Sequence, residues 1–199
     1  MNLRNVFFAF CYVIALFSCE KKDNNTSDAL IDSDVTTAID NNLIDGVFND
    51  VESIADQASS GILVSFLPEF DNNEQKTFIH EKSSCATITH DENSSPKILT
   101  IDFGGSNCLC NDGKNRRGQI IVTYTGVYNE VGSEHTITFN DYYVNDNKVL
   151  GTKIVTNNGL DSNNKLHFSI EVDAKLVKAT SNDTISWVSS RVRTWEEGS

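Results

Sequence analysis

Leu166-His167-Phe168-Ser169-Ile170-Glu171-Val172-Asp173-Ala174-Lys175-Leu176 is the stretch whose reading decides the fold. Leu166, Phe168, Ile170, Val172, Ala174 and Leu176 take every second position, and His167, Ser169, Glu171, Asp173 and Lys175 fill the gaps. Side chains of a strand alternate between faces, so this run predicts one apolar face and one wet face. The same kind of pattern extends from Gln119 to Trp195. It predicts strands over Gln119–Val127, His135–Val144, Lys148–Thr156, Lys165–Lys178 and Thr184–Trp195. The doubled aromatic Tyr142-Tyr143 predicts a bulge, Asn145-Asp146-Asn147 a tight turn, and Asn157–Asn164 a polar loop. Sequential strands joined this closely pair antiparallel, which makes a meander.

Working outward, Lys97–Phe103 alternates Leu99, Ile101 and Phe103 against Ile98, Thr100 and Asp102. Ile62–Leu67, Thr77–His80 and Ala86–His90 are shorter strand candidates. Gly104–Arg117 has no period and reads as a long surface loop. Val35–Ala58 has helical spacing in Ile39, Leu43, Val47, Val51, Ile54 and Ala58, widened by Ile44, Phe48 and Ala55. Ser33 or Asp34 is the expected N-cap, and Ser59-Ser60-Gly61 the expected end. Gly46 costs that helix about 1 kcal/mol relative to Ala. The predicted class is α+β: a mainly antiparallel meander with one amphipathic helix packed on it. Thr184–Trp195 is expected to be an edge strand, paired on one side only with Lys165–Lys178 and blunted by Arg191 and Arg193.

The N-terminus reads as a targeting segment. Arg4 precedes the nearly unbroken apolar run Val6–Phe17, and Leu16-Phe17-Ser18-Cys19 follows. That tetrapeptide resembles the lipobox of bacterial lipoproteins, although Phe17 is bulkier than usual there. The resemblance implies cleavage between Ser18 and Cys19, with lipid on the Cys19 thiol. The alternative is an ordinary secretory signal with an incidental cysteine. The predicted layout is a signal peptide over residues 1–18, a polar tether over 19–33, and one β-rich domain over 34–199. Glu20-Lys21-Lys22-Asp23 resembles a surface-export signal of Bacteroidota lipoproteins, or is simply a solvated tether.

The chain has 199 residues, 28 acidic against 16 basic, and a net charge of −12. Losing residues 1–18 would remove only Arg4 from the charged set and take the net charge to −13. Such a chain repels nucleic acid phosphates, so no nucleic acid partner is expected.

The runs Pro96–Gly104, Asp112–Ile120, Thr136–Asn145 and Leu150–Asn157 resemble a group of lipoproteins from Bacteroidota, over most of residues 85–195. The resemblance implies an exported, lipid-anchored β-rich protein of the outer membrane or cell surface. It carries no activity over. It also implies chains that run on past the Trp195 region, of which this one would be a shortened member.

Five cysteines are present. With Cys11 in the signal and Cys19 lipidated, Cys85, Cys108 and Cys110 remain, in an oxidising compartment. A bridge from Cys85 to either Cys108 or Cys110 is expected, leaving one thiol over. The alternative, a metal site from these three with His80 or His90, lacks zinc-knuckle spacing, so no metal and no cofactor is expected. The Asn/Asp turns match no calcium loop. Lys114, Arg116 and Arg117 form the one basic cluster, expected to be a solvated loop or a contact for a glycan phosphate or carboxylate. His80, His90, His135 and His167 are scattered over predicted loops and wet faces, and no catalytic triad emerges. Tyr124, Tyr128, Tyr142, Tyr143, Trp187 and Trp195 are expected mainly as core or cross-strand pairs, with a sugar platform as the sharper alternative. Asp183-Thr184-Ile185 resembles the O-glycosylation acceptor pattern of Bacteroidota, on Thr184, or is a plain turn-to-strand junction.

These observations lead to a membrane-tethered, non-enzymatic envelope lipoprotein with a binding or structural role. Its partners would be the membrane, through Cys19, and an envelope protein or glycan. Two alternatives are a carrier of a hydrophobic ligand between helix and curved sheet, and an envelope hydrolase whose carboxylates do not stand out in the sequence.

Overall fold

A computed structural model of the chain describes residues 25–65 and 85–195, with side chains over 35–59 and 85–195. The lipobox, Ser18, Cys19, His80 and the strand expected at Thr77–His80 lie outside the described residues. The chain divides into a unit ending at Val35 and a second unit over 36–199. The first unit holds the opening turns of a helix; the second holds the rest of the helix and the whole sheet.

Among the described residues, one helix, α1 (Asn25–Ser65), precedes eight strands: β1 (Thr87–Asp91), β2 (Lys97–Asp102), β3 (Cys108–Leu109), β4 (Asn115–Tyr124), β5 (Glu134–Val144), β6 (Asn147–Leu160), β7 (Leu166–Val177) and β8 (Thr184–Thr194). They form one antiparallel sheet in the order β1-β2-β4-β5-β6-β7-β8, and β3 pairs with β4 beside β2. The sheet is thus a meander with the helix packed on it, as the alternation predicts. β7 alternates as expected, with Phe168, Ile170, Val172, Ala174 and Leu176 all buried. β8 ends the order and pairs, among the described residues, with β7 alone.

Several expected boundaries move. The helix starts ten residues early, so Ser33 and Asp34 are helical and not caps. Ala29 and Leu30 are good helix formers, and Asp28 suits the positive end of a helix dipole. It also runs through Gly61 to Ser65, which places Ile62–Ser65 in the helix and not in a strand; one glycine costs only about 1 kcal/mol. The buried stripe is Ile44, Val47, Phe48, Val51, Ile54, Ala55 and Ala58, whereas Ile39 and Leu43 face solvent. The supposed loop at 104–117 contains β3 and the start of β4, and β6 runs into the supposed loop at 157–164.

The bulge falls just before the doubled tyrosine. β5 carries one extra residue near Asp141 relative to both of its neighbours, between Asn140 and Tyr143 against β4. The insertion changes which residues face inward. Ile137 and Phe139 belong to the core before it, and Tyr142 and Val144 after it. Gly118 accommodates the bulge on the facing strand. It has φ +80°, and a Cβ there would lie 2.0 Å from the Asp141 carbonyl oxygen. Asn145 and Asp146 both have positive φ, which closes the β5–β6 hairpin in a two-residue primed turn.

Candidate functional site

The helix from residue 25 to 65 contains no Lys or Arg, and its acids meet cations supplied by the sheet. Asp40 pairs with Lys178 at 2.6 Å, Asp45 with Arg191 at 3.6 Å, Asp50 with Arg116 at 2.7 Å, and Glu52 with Lys153 at 2.5 Å. Two of those cations, Arg116 and Lys153, are fully buried. They mark two different places on the helix–sheet interface.

At Arg116 the site is closed. The guanidinium takes Asp112 with both terminal nitrogens, at 2.8 and 2.6 Å, and Asp50 with one of them. Lys114 also reaches Asp50, at 3.2 Å. Burial by itself would lower the Arg116 pKa, but its bonds to Asp112 and Asp50 reverse this and hold it well above the ordinary arginine value. The expected solvated basic loop is therefore corrected. Arg116 is a core ion pair, while Lys114 and Arg117 stay partly exposed, Arg117 3.8 Å over the Tyr143 ring and paired with Asp146. Cys110 is buried beside Arg116. Cys85 is bridged to Cys108, and the thiol left over is Cys110.

At Lys153 the site opens. Glu52 accepts from Lys153 with one oxygen and from Arg193, at 3.0 Å, with the other. Burial would raise the Glu52 pKa, but the Lys153 hydrogen bond and the Lys153 and Arg193 charges hold it below the usual value. One turn on, Asp56 makes no such bond. Asp56 is exposed as a residue, but partial desolvation of its carboxyl and the Glu52 charge push it up to about 6, against the pull of Arg193 and Lys153. Asp56, Ser59, Tyr128, Asn129, His135, Leu166, Phe168, Arg193 and Trp195 surround a cleft of about 590 Å³. A smaller hollow of about 200 Å³ shares Ser59, Tyr128 and His135 with it and extends to His90, Glu92, Lys97 and Tyr124.

The cleft walls are built from the meander's own turns. The β4–β5 connection is pinned to β6 by Gly132 N–H donating to Asn157 O, and by Asn157 N–H donating to Ser133 O. The buried Asn157 side chain donates to the Tyr128 carbonyl at 3.0 Å. Tyr128 is thereby held with its ring 4.8 Å from Phe168 and 5.3 Å from His135, while its hydroxyl bonds Arg193. His135 in turn stacks on Tyr124, and Tyr124 on His90. Burial lowers the His135 pKa, opposed by a bond to the Gly126 backbone. Two buried atoms in this wall, Arg193 Nε and His135 Nε2, have no partner. The cleft therefore presents aromatic surface and an elevated carboxyl group, and its wall holds two buried polar atoms without a partner.

No family model, no curated protein and no solved structure matches this chain.

The tyrosine and tryptophan expectations divide accordingly. Tyr142 is fully buried, and Trp187 packs on Phe48 at 6.2 Å, so both are core. Tyr143 serves Arg117, while Tyr124, Tyr128 and Trp195 line the two hollows. The histidines were expected to be scattered, yet His90 and His135 come together around Tyr124. His167 bonds the Gly159 carbonyl instead. Among the described residues, the sulfurs of Cys85, Cys108 and Cys110 lie within 4.8 Å of one another, but two of them are bonded together. Thr184 opens β8 and is exposed. The Asn145 and Asp161 carboxamide and carboxyl groups accept backbone N–H bonds in turns, Asn145 from Asn115, and Asp161 from Asn163 and Lys165.

Glu52 and Asp56 were missed as a pair in the sequence. Their i, i+4 spacing was visible, but it lay on a stripe read only for its apolar members.

Proposed function

We propose that this chain is an exported, lipid-anchored, non-enzymatic binding protein of the cell envelope, tethered through Cys19 at the outer membrane or cell surface. The cleft between the end of α1 and the β4–β5, β7 and β8 wall takes a small ligand with a flat apolar face and a hydrogen-bonding edge. A sugar ring is the simplest such ligand. The observation that carries this reading is one hollow lined by the aromatic rings of Tyr128, Phe168 and Trp195 together with the polar side chains of Asp56, His135 and Arg193. Elsewhere the helix–sheet interface is filled by Ile44, Phe48, Val51 and Ile54, which argues for a local site over an apolar trough along the whole helix. Two features support the location: the lipobox Leu16-Phe17-Ser18-Cys19, and a disulfide, which suits an oxidising compartment.

A hydrolase is the second reading, favoured by one observation. Glu52 and Asp56 are pushed in opposite directions, which is how acid and base roles are divided between two carboxyls. Both Glu52 oxygens are occupied by cations, however, so it has no free face for a nucleophile or base.

Calorimetric titration of the mature protein with neutral hexose and N-acetylhexosamine oligosaccharides tests the binding reading. Saturable binding that is lost in Arg193→Gln is expected, with no sugar released. Turnover of the same oligosaccharides would favour the hydrolase, and the absence of any binding contradicts the sugar assignment. Metabolic labelling with a palmitate analogue tests the tether: label is expected on the wild type and absent from Cys19→Ala.

A further inference from the structure

The hairpin carrying Cys108 and Cys110 brings three sulfurs together. β3 pairs Cys108 with Arg116 and Leu109 with Asn115, and Cys110 N–H donates to the Lys114 carbonyl. Residues two apart in extended backbone share a face, so the Cys-x-Cys spacing aims both sulfurs at the same neighbour. That neighbour is Cys85. Cys108 is bonded to it, and Cys110 Sγ lies 3.4 Å from Cys85 Sγ. Their exposures differ: Cys110 is 2% exposed, Cys108 is half-buried, and Leu109 beside it is 67% exposed. The Arg116 guanidinium lies beside the Cys110 sulfur. Asp50 and Asp112 share that cation.

We infer that Cys85, Cys108 and Cys110 form an intramolecular disulfide-exchange centre, in which the bridge moves between Cys85–Cys108 and Cys85–Cys110. The Cys110 thiol gives its proton to solvent, and the thiolate attacks Cys85 Sγ. A Cys85–Cys110 bond forms as the Cys85–Cys108 bond breaks. The electron pair leaves on the Cys108 sulfur, which takes up a proton. Two sulfurs are oxidised before and after, so no external oxidant or reductant enters. The exchange converts a buried thiol into an accessible one at the hairpin, making Cys108 the site of modification by thiol-directed reagents. Nothing in this step depends on the cleft or on the nature of its ligand.

The test is native labelling of the oxidised full chain with N-ethylmaleimide at mildly alkaline pH, followed by acid quench and mapping of label and bridge by mass spectrometry. The expected product carries label on Cys108 and a Cys85–Cys110 bridge. Labelling of Cys110 with the Cys85–Cys108 bridge intact overturns the proposal, since it means direct access to the buried thiol. No labelling over hours overturns it as well. In Cys110→Ser the bridge already present has no attacking thiol, so labelling should fall at least tenfold. Labelling of Cys108 at the wild-type rate in that variant also overturns the proposal.

Discussion

Arg116 and Lys153 can be set side by side. Both sit at inward strand positions, both are fully buried, and both answer an acid on the same helix. Arg116 has a planar fork that Asp50 and Asp112 fill, and the disulfide hairpin packs beside it. Lys153 is a point charge that occupies one Glu52 oxygen and leaves the other to Arg193, a lining residue of the cleft. One arrangement is enclosed, with Arg116 Nε and the Tyr142 hydroxyl also lacking partners there, and reads as structure. The other borders a cleft of about 590 Å³ and reads as a binding site. The difference shows that a buried ion pair is not by itself a functional signal; the open, aromatic-lined cleft beside it is.

The largest expected effect comes from removing the fork. Arg116→Met takes the buried guanidinium away from Asp50 and Asp112 and should cost about 3–5 kcal/mol in urea denaturation. Arg193→Met removes a half-exposed charge and should cost about 1 kcal/mol or less. Equal costs would break the comparison. Next, Cys85→Ala opens the hairpin bridge, and a loop of this length is worth about 3 kcal/mol; oligosaccharide affinity at the distant cleft should not change.

A smaller effect with a defined pH window is expected at Asp56. Its folded pKa near 6 lies above its ordinary value of 3.8, so the folded state carries a penalty once the group ionises. That penalty is full above about pH 6 and gone below about pH 4. Asp56→Asn should therefore raise Tm above pH 6 and match the wild type at pH 4. A gain that is the same at both pH values contradicts the assignment. Smallest of all, Gly46→Ala should stabilise by about 0.5–1 kcal/mol, since a Cβ there meets nothing within 4 Å. It should leave ligand binding untouched.

The sheet was legible because alternation is local. Leu166 to Leu176 announces its buried face without knowledge of any partner, and the Asn145-Asp146 turn announces its hairpin. The bulge was legible too, as two adjacent aromatics that strict alternation cannot both bury. The helix ends were not, because the residues past Ala58 resume helix-compatible sequence after a single glycine. Neither site was legible, for a different reason. Arg116 finds Asp50 across 66 residues and Lys153 finds Glu52 across 101, so their charges looked like surface until the helix was laid on the sheet. Lys153 did carry a signal. It stands at an inward position between Val149 and Val155, where an unpaired lysine would not persist.

Amide chemical-shift mapping of the labelled mature protein during titration with N-acetylhexosamine oligosaccharides is the most direct test of the central claim. Shifts are predicted at Asp56, Ser59, Tyr128, His135, Phe168, Arg193 and Trp195, with Arg116, Asp112 and Cys110 silent. Shifts centred on Arg116, or none along the cleft wall at saturating ligand, would contradict the division between a closed structural corner and an open binding cleft.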